Sequence, residues 1–170
     1  MGEVAFAVDC MLGRLAKWLR ILGFDVFYSS RAVDEDLLEV HKRQERFLLT
    51  RDRGLLQRAD PGRSALVKSD HVQRQLVEVL EALGLGLRPG KFFTRCLLCN
   101  TPLEALAKAD AEGKVPDFVF LSCAGFSICR ACGKVYWRGS HTDHVRAMID
   151  RLGLSRYLPH EEDGGFGRSG

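Results

Sequence analysis

Four of the six cysteines occur in two pairs with the same spacing. Cys96 and Cys99 enclose two leucines, and Cys129 and Cys132 enclose an arginine and an alanine. A Cys-x-x-Cys pair places two thiolates on one tight turn, and two such turns supply the four sulfurs of a tetrahedral zinc site. Four thiolates leave the metal no open position for water or substrate. The pattern therefore predicts one structural Zn2+ ion in a treble-clef or ribbon-like module.

The residues after each pair support this interpretation. Asn100 follows the first pair and Gly133 the second, and both suit the positive backbone torsions on which such turns end. Buried cysteines without a ligand and a redox-active pair are the alternatives, but a redox pair normally opens a helix and does not occur in two copies. Cys10 and Cys123 have no partner at this spacing and are predicted to be ordinary apolar residues.

Aspartates that border short apolar runs form a second group of candidate functional residues. Asp9 directly follows the first run, Asp52 follows Leu-Leu-Thr-Arg, Asp70 follows Leu-Val-Lys-Ser, and Asp34 precedes a run with helical periodicity. If the runs are strands of one parallel sheet, these carboxylates gather at one edge, where ligands of such sheets bind. Carboxylates at one edge repel one another unless a cation lies among them, and hard oxygen ligands suit Mg2+ or Mn2+.

Such an ion activates water for cleavage of a phosphodiester. The catalytic candidates are Asp9, Asp34, Asp52 and Asp70, of which the first three are predicted to hold the ion. The alternative is that Asp34 and Asp70 are only helix caps, a role for which aspartate is equally suited.

The elements that must position these residues alternate between strands and helices. Strands are predicted over residues 4–8, 25–28, 47–50 and 65–67, and helices over 11–22, 34–44, 54–58 and 71–83. This alternation is typical of βαβ units in an α/β fold with a parallel sheet. Glycine and proline are dense over residues 84–90, as in linkers. We therefore predict an α/β domain over residues 1–88, a four-cysteine module with a final helix (141–152) over residues 89–160, and a disordered tail over residues 161–170.

Composition and charge limit the class of protein. No apolar run approaches the ~20 residues of a transmembrane helix, and the first residues lack the pattern of a signal peptide, so we expect a cytoplasmic protein without a membrane partner. The net charge of +3 does not indicate nucleic-acid binding by itself, but the positive excess lies within residues 91–160. The predicted nucleic-acid contacts are Arg14, Lys17, Arg51, Arg130, Lys134 and Arg138.

Both basic groups have alternative interpretations. Arg14, Lys17 and Arg20 share one predicted helix, which could track a phosphate backbone or simply face solvent. Tyr136 and Trp137 lie among the later basic residues, an interleaving that suits single-stranded RNA. Alternatively, one of the two rings packs in the small core around the zinc ion.

Four segments combine specific motifs: VDCMLGRLAKWLRILGFDV, LLTRDRGLL, FTRCLLCNTPL and CRACGKVYWRGSH. Together they resemble the Mut7-C RNase domain family over about residues 4–150. The resemblance implies a PIN-like nuclease fold, a C-terminal zinc ribbon, metal-dependent cleavage of RNA and pairing as a homodimer. It matches Asp9 and Asp52 to acids of the family and Asp34 to the acid that opens the second helix, with Asp36 left open as the alternative to Asp34.

Three functions follow from these observations. The first is an endoribonuclease that uses Mg2+ or Mn2+ to hydrolyse RNA, with single-stranded RNA as the expected substrate. The second is a catalytically inactive module that binds RNA or docks on a protein, and the third is a structural subunit with incidental carboxylates. The presence of all three acids, Asp9, Asp34 and Asp52, favours the first.

Overall fold

A computed structural model describes residues 4–137, 140–151 and 153–158. Its first half is a four-stranded parallel sheet with the order β2-β1-β3-β4. The strands are β1 (Ala5–Val8), β2 (Asp25–Tyr28), β3 (Phe47–Thr50) and β4 (Ser64–Leu66). Phe6, Ala7, Leu48 and Leu49 are fully buried, because a parallel sheet covered on both faces buries successive residues rather than alternate ones. The predicted α/β class is confirmed.

Helices cover both faces of this sheet. They are α1 (Gly13–Ile21), α2 (Asp34–Arg43), α3 (Arg53–Arg58) and α4 (Val72–Leu83). Helices α1 and α4 pack into one core, whereas α2 and α3 pack into another that is built on the opposite face of the sheet. The chain leaves β1 toward β2 but leaves β3 toward β4, so the connections diverge between β1 and β3. In open α/β sheets, ligands bind beyond the carboxyl ends of the strands at such a switch point.

The alternative that Asp34 and Asp70 are helix caps is wrong by one residue in both cases. Helix α2 begins at Asp34 itself and has Val33 at its N-cap, and helix α4 has His71 rather than Asp70 at its N-cap. In α2 the capping carboxylate is that of Asp36, which accepts a hydrogen bond from the Val33 N–H at 3.4 Å. Asp34 and Asp70 are therefore not N-cap residues.

The second half contains a three-stranded antiparallel sheet with the order β5-β6-β7. Its elements are β5 (Glu104–Leu106), α5 (Lys108–Ala111), α6 (Asp117–Ser122), β6 (Phe126–Ile128) and β7 (Val135–Trp137), and the final helix is α7 (Ser140–Arg151). Val145 and Ile149 of α7 share a core with Leu87 and with helices α1 and α4. The predicted final helix is present, although residue 152 and the predicted tail, residues 161–170, lie outside the described residues.

The segment between the two halves is packed against the rest of the chain. Leu87 is only 1% exposed, and the boundary placed within residues 84–90 stays a prediction. None of the helices in the described ranges is long and apolar enough to cross a membrane.

Candidate active site and metal centre

Asp9 lies directly beyond β1 and is only 6% exposed. Thr50, the last residue of β3, is fully buried, and its hydroxyl donates a hydrogen bond of 2.7 Å to Asp9 Oδ2. The same hydroxyl accepts a hydrogen bond of 2.9 Å from the Asp52 N–H. Thr50 thus joins two predicted catalytic aspartates at the switch point of the sheet. Sequence reasoning missed this residue, whose only signal was a hydroxyl at the end of an apolar run.

Backbone contacts hold the segment around Asp9 in place. The Asp9 N–H donates to the Leu49 carbonyl at 3.0 Å, and the Tyr28 hydroxyl donates to the Cys10 carbonyl at 3.2 Å. Gly13 permits the approach of Tyr28, because a Cβ at that position would lie 2.5 Å from the Tyr28 hydroxyl oxygen. The position of Asp9 is therefore fixed by both strands that flank β1.

Cys10 is exposed beside Asp9, but its thiol is a poor nucleophile. Hydrogen bonding to Asp9, followed by partial burial, raises the pKa of Cys10 above its ordinary value of 9.0. The protonated thiol therefore dominates at neutral pH.

Asp52 is exposed and serves as the N-cap of α3. Its Oδ1 accepts hydrogen bonds from the Gly54 N–H at 2.6 Å and the Leu55 N–H at 3.1 Å. Within the described part of the chain, Oδ2 forms no hydrogen bond. One oxygen of Asp52 is thus used to orient the carboxylate, and the other can ligate a cation.

Asp34 and Asp36 have different surroundings at the start of α2. Asp34 is half exposed and lies 3.6 Å from Arg58, whose guanidinium also contacts Glu35 at 2.7 Å. Asp36 is turned back toward the N-cap of its helix. Asp34 can exchange an exposed partner for a cation, whereas Asp36 would have to give up its capping hydrogen bond.

Asp70 lies farther along the same edge, and its exposed carboxylate is paired with Arg51. The hydrogen bond with Arg51, and then its charge, lower the pKa of Asp70. Among the described residues, the aspartates do not form a cluster of ligand atoms as compact as that of the four cysteines. The Thr50 hydroxyl links the Asp9 carboxylate to the Asp52 backbone N–H, and the catalytic roles of all four aspartates stay predictions.

The basic residues of the first half divide into two groups. Arg14 and Lys17 are exposed on α1 and form no ion pair with a described residue. The same holds for Arg31, beyond β2, and for Arg53, next to Asp52, neither of which sequence reasoning singled out. Arg20, in contrast, is only 4% exposed. The expectation that it belongs to a phosphate-facing or solvent-facing surface is wrong.

The four paired cysteines converge on one point. Their sulfur atoms all lie within 4.8 Å of one another. The Cys96 and Cys132 sulfurs are 3.6 Å apart, and the Cys99 and Cys129 sulfurs are 3.4 Å apart. Tetrahedral zinc with Zn–S bonds of ~2.3 Å separates sulfurs by about 3.8 Å. The donor set and its dimensions thus fit a zinc ion.

Residues 96–100 and 129–133, here called the first and second knuckles, have the same backbone geometry. The Asn100 N–H donates to the Cys96 carbonyl at 2.9 Å, and the Gly133 N–H donates to the Cys129 carbonyl at 2.8 Å. Both turns end on a positive φ, of 69° at Asn100 and 73° at Gly133. This confirms the torsions predicted from the sequence.

Tyr136 in β7 packs against the first knuckle. Its hydroxyl lies 3.1 Å from the Cys96 sulfur and accepts a hydrogen bond of 3.1 Å from the Leu97 N–H. Trp137 is 40% exposed. Of the two rings, Tyr136 therefore supports the cysteine cluster and Trp137 faces outward.

The thiols of the cluster titrate unequally. Burial raises the pKa of Cys96, but hydrogen bonds from Tyr136 and from backbone N–H groups outweigh it and lower that pKa to about 6. A backbone hydrogen bond lowers the pKa of Cys132, but contacts with the other thiols and burial outweigh it and raise that pKa to about 12. Zinc binds cysteine as the thiolate, so a bound ion would favour deprotonation of all four thiols.

The basic residues of the four-cysteine module have mixed surroundings. Arg130 is paired with Glu104 at 3.0 Å, and Lys134 is exposed directly after the second knuckle. Arg138 lies outside the described residues. Lys134 and Trp137 are thus an exposed cation and an exposed ring close together in sequence that a ligand could contact.

Comparison with known proteins identifies the family of the chain. The model of the Mut7-C RNAse domain matches residues 4–149. Searches of curated proteins and of solved structures gave no significant match. The matched range runs from β1 into α7 and includes Asp9, Thr50, Asp52 and the four-cysteine cluster. The chain belongs to the Mut7-C RNAse domain family.

Proposed function

We propose that this protein is an endoribonuclease that depends on Mg2+ or Mn2+ and has its active site beyond the carboxyl ends of β1 and β3. Family membership supports a ribonuclease. The observation that carries the location is the hydrogen-bonded series from Asp9 through the Thr50 hydroxyl to Asp52. This series supports a site at the switch point of the sheet, because it joins the buried Asp9 carboxylate to the backbone of the exposed Asp52, and ligands of such sheets bind at that point.

Asp9, Asp52 and Asp34 supply the oxygen ligands for the cation. When bound, a divalent ion of this kind activates water and neutralises charge that develops on the phosphate. Thr50 orients Asp9, and the α3 N-terminus orients Asp52 through Oδ1. Asp34 exchanges Arg58 for the cation at little cost, because exposed ion pairs contribute only ~0–1 kcal/mol.

The RNA backbone lies along the exposed cations near this edge. Arg14, Lys17 and Arg53 support this placement, because they form no ion pair within the described ranges and are available to phosphates. Arg51 also contacts the RNA backbone, and its ion pair with Asp70 holds its guanidinium in place. Asp70 therefore positions Arg51 and does not bind the cation. Single-stranded RNA is the proposed substrate, and pairing as a homodimer stays a prediction.

The cysteine cluster holds one structural Zn2+ ion. Elemental analysis should find about one zinc per chain, and Cys96→Ser should lower that content because it removes a buried ligand. Cys123→Ser is the matched control, since Cys123 lies outside the cluster. Freshly purified protein without zinc would contradict the assignment.

The cleavage activity is tested with labelled single-stranded RNA in buffers that differ only in the added ion. Cleavage should need Mg2+ or Mn2+ and should not be restored by Zn2+ alone. Omission of the divalent ion is preferable to chelation, because a strong chelator also strips the zinc cluster. Equal cleavage with and without added Mg2+ or Mn2+ would rule out the proposed metal dependence.

A second candidate function is RNA binding by the four-cysteine module without a contribution to catalysis. The exposed Trp137 and Lys134 favour it, since rings stack on bases and cations contact phosphates. Both functions can coexist in one chain. Substitutions in the four-cysteine module would then affect RNA binding, and substitutions of the aspartates would affect cleavage.

A further inference from the structure

Arg20 is a buried cation that joins the two halves of the chain. Its Nε and Nη2 donate to the Val26 carbonyl of β2 at 3.3 and 2.9 Å. Its Nη1 donates to the carbonyls of Leu97 and Leu98, each at 3.0 Å. Leu97 and Leu98 are the two residues between the cysteines of the first knuckle. One guanidinium therefore binds a sheet strand and a metal-binding turn at once.

Arg20 is a buried cation in contact with the turn that carries Cys96 and Cys99. Within the described part of the chain no carboxylate forms an ion pair with it. Burial lowers the pKa of Arg20, and the negative charges that oppose this effect are, in order, those of Cys96, Cys99 and Asp25. Four thiolates around Zn2+ leave a net charge of −2, so a buried guanidinium beside the knuckle compensates charge that would otherwise be costly to bury.

Asn100 makes a second contact between the first knuckle and β2. Its Oδ1 accepts a hydrogen bond of 2.9 Å from the Val26 N–H, and its Nδ2 donates one of 2.9 Å to Asp25. Strand β2 is an edge strand of the parallel sheet. Together Arg20 and Asn100 satisfy the N–H and C=O groups of Val26 that an added strand would otherwise use.

The second knuckle lacks such a contact. Gly133 occupies the position equivalent to Asn100, has nearly the same φ, and carries no side chain. The two knuckles therefore share a metal-binding geometry but differ in docking. Only the first carries the groups that bind the sheet edge.

We propose that Arg20 is a positioning residue for the zinc site, and that it and Asn100 couple zinc retention to closure of the β2 edge. Zinc orders the first knuckle, which then covers the edge in place of another strand. By reciprocity, docking of the knuckle on β2 tightens its hold on zinc. This coupling does not depend on the cleavage activity.

Arg20→Met in the full-length chain tests the proposal, because it removes the guanidinium and keeps most of the apolar stem. Zinc release to a colorimetric chelator should become about tenfold faster or more, the usual effect of losing a residue that supports metal ligands. Hydrogen exchange of the Val26 amide should rise by a similar factor. Arg74→Met, an exposed change on α4, is the matched control. Release and exchange equal to those of the control would overturn the proposal.

Asn100→Gly keeps the test decisive if Arg20→Met does not fold. Glycine suits the positive φ and reproduces the end of the second knuckle, so all four cysteines and the turn are retained. This variant should bind one zinc per chain and show the cobalt-substituted spectrum of the wild type, yet release zinc faster and exchange the Val26 amide faster. Wild-type values for both rates would overturn the coupling.

Discussion

The Thr50 hydroxyl donates a hydrogen bond of 2.7 Å to Asp9 Oδ2. This contact joins the ends of the two central strands at the point where their connections diverge. Because both residues are buried, the hydrogen bond fixes one orientation of the Asp9 carboxylate before any ligand arrives. Positioning of this kind matters for a metal-dependent hydrolase, in which small displacements of a ligand reduce the rate strongly.

Thr50→Val keeps the shape of the Thr50 side chain but removes the hydroxyl that holds Asp9 in place. RNA cleavage should therefore slow by about tenfold to a hundredfold. The substitution should also lower the free energy of unfolding by ~1–3 kcal/mol, since a buried acceptor loses its donor. Single-turnover cleavage and urea unfolding measure the two effects. Thr50→Ser keeps the hydroxyl and should stay near the wild type. Cleavage by Thr50→Val at the wild-type rate would show that Thr50 does not position Asp9 for catalysis.

Asp34→Asn and Asp36→Asn distinguish the two candidates for the second acid. Asp34→Asn should reduce cleavage strongly and change stability little, because the ion pair of Asp34 with Arg58 is exposed. Asp36→Asn should leave cleavage near the wild-type rate and cost about 1 kcal/mol or less, since it weakens a helix cap. Cleavage rates and urea midpoints are measured on both proteins. The opposite pattern of rates would make Asp36 the ligand.

Arg130→Ala combined with Lys134→Ala tests whether the four-cysteine module contacts RNA. If it does, affinity should fall and the dependence of affinity on salt should become shallower by about one to two units of slope, because fewer phosphates are neutralised. Binding across a salt series measures both quantities. Lys42→Ala with Arg74→Ala removes the same charge from exposed helix positions elsewhere. An unchanged affinity and slope in the first variant would restrict RNA binding to the α/β half.

The sequence was most informative where structure depends on local pattern. Short apolar runs between turn residues are sufficient to indicate buried strands, and the run Phe47–Thr50 forms a strand with the predicted bounds. The Cys-x-x-Cys turns are equally local, so the positive torsions of Asn100 and Gly133 followed from residue type and spacing.

Contacts between residues that are distant in the chain could not be predicted from local sequence pattern. Arg20 looks like the third basic residue on a helix surface, and its burial depends on Leu97 and Leu98 arriving from the other half of the chain. Thr50 looks like the end of a strand, and its role depends on Asp9 in the neighbouring strand. Such contacts are set by strand order and docking, for which neither helical nor strand periodicity carries a signal.

Asp25 should make stability depend on pH. Burial raises its pKa, but hydrogen bonds from Arg46 and Asn100 and the charges of Arg46 and Arg95 outweigh burial and lower that pKa below 3.8. A carboxylate with a lowered folded-state pKa stabilises the protein above its unfolded pKa of about 3.9, and this contribution is lost as pH falls through the folded value.

Urea unfolding of Asp25→Asn measures this contribution. The variant should be less stable than the wild type at pH 7, and the difference should shrink as pH falls below about 4. Asp117→Asn, an exposed change at the start of α6, should show no such trend. A difference that stays constant with pH would mean that Asp25 acts through packing rather than charge.

The most direct test of the proposed active site is single-turnover cleavage of labelled single-stranded RNA by the wild type and by Asp9→Asn in the presence of Mg2+ or Mn2+. Zinc content and RNA affinity are measured on the same preparations, and Asp117→Asn serves as the purification control. Asp9→Asn should keep its zinc, bind RNA with nearly unchanged affinity and salt dependence, and cleave about 10² to 10³-fold more slowly. Cleavage by folded, zinc-loaded Asp9→Asn at the wild-type rate would contradict a catalytic site at Asp9.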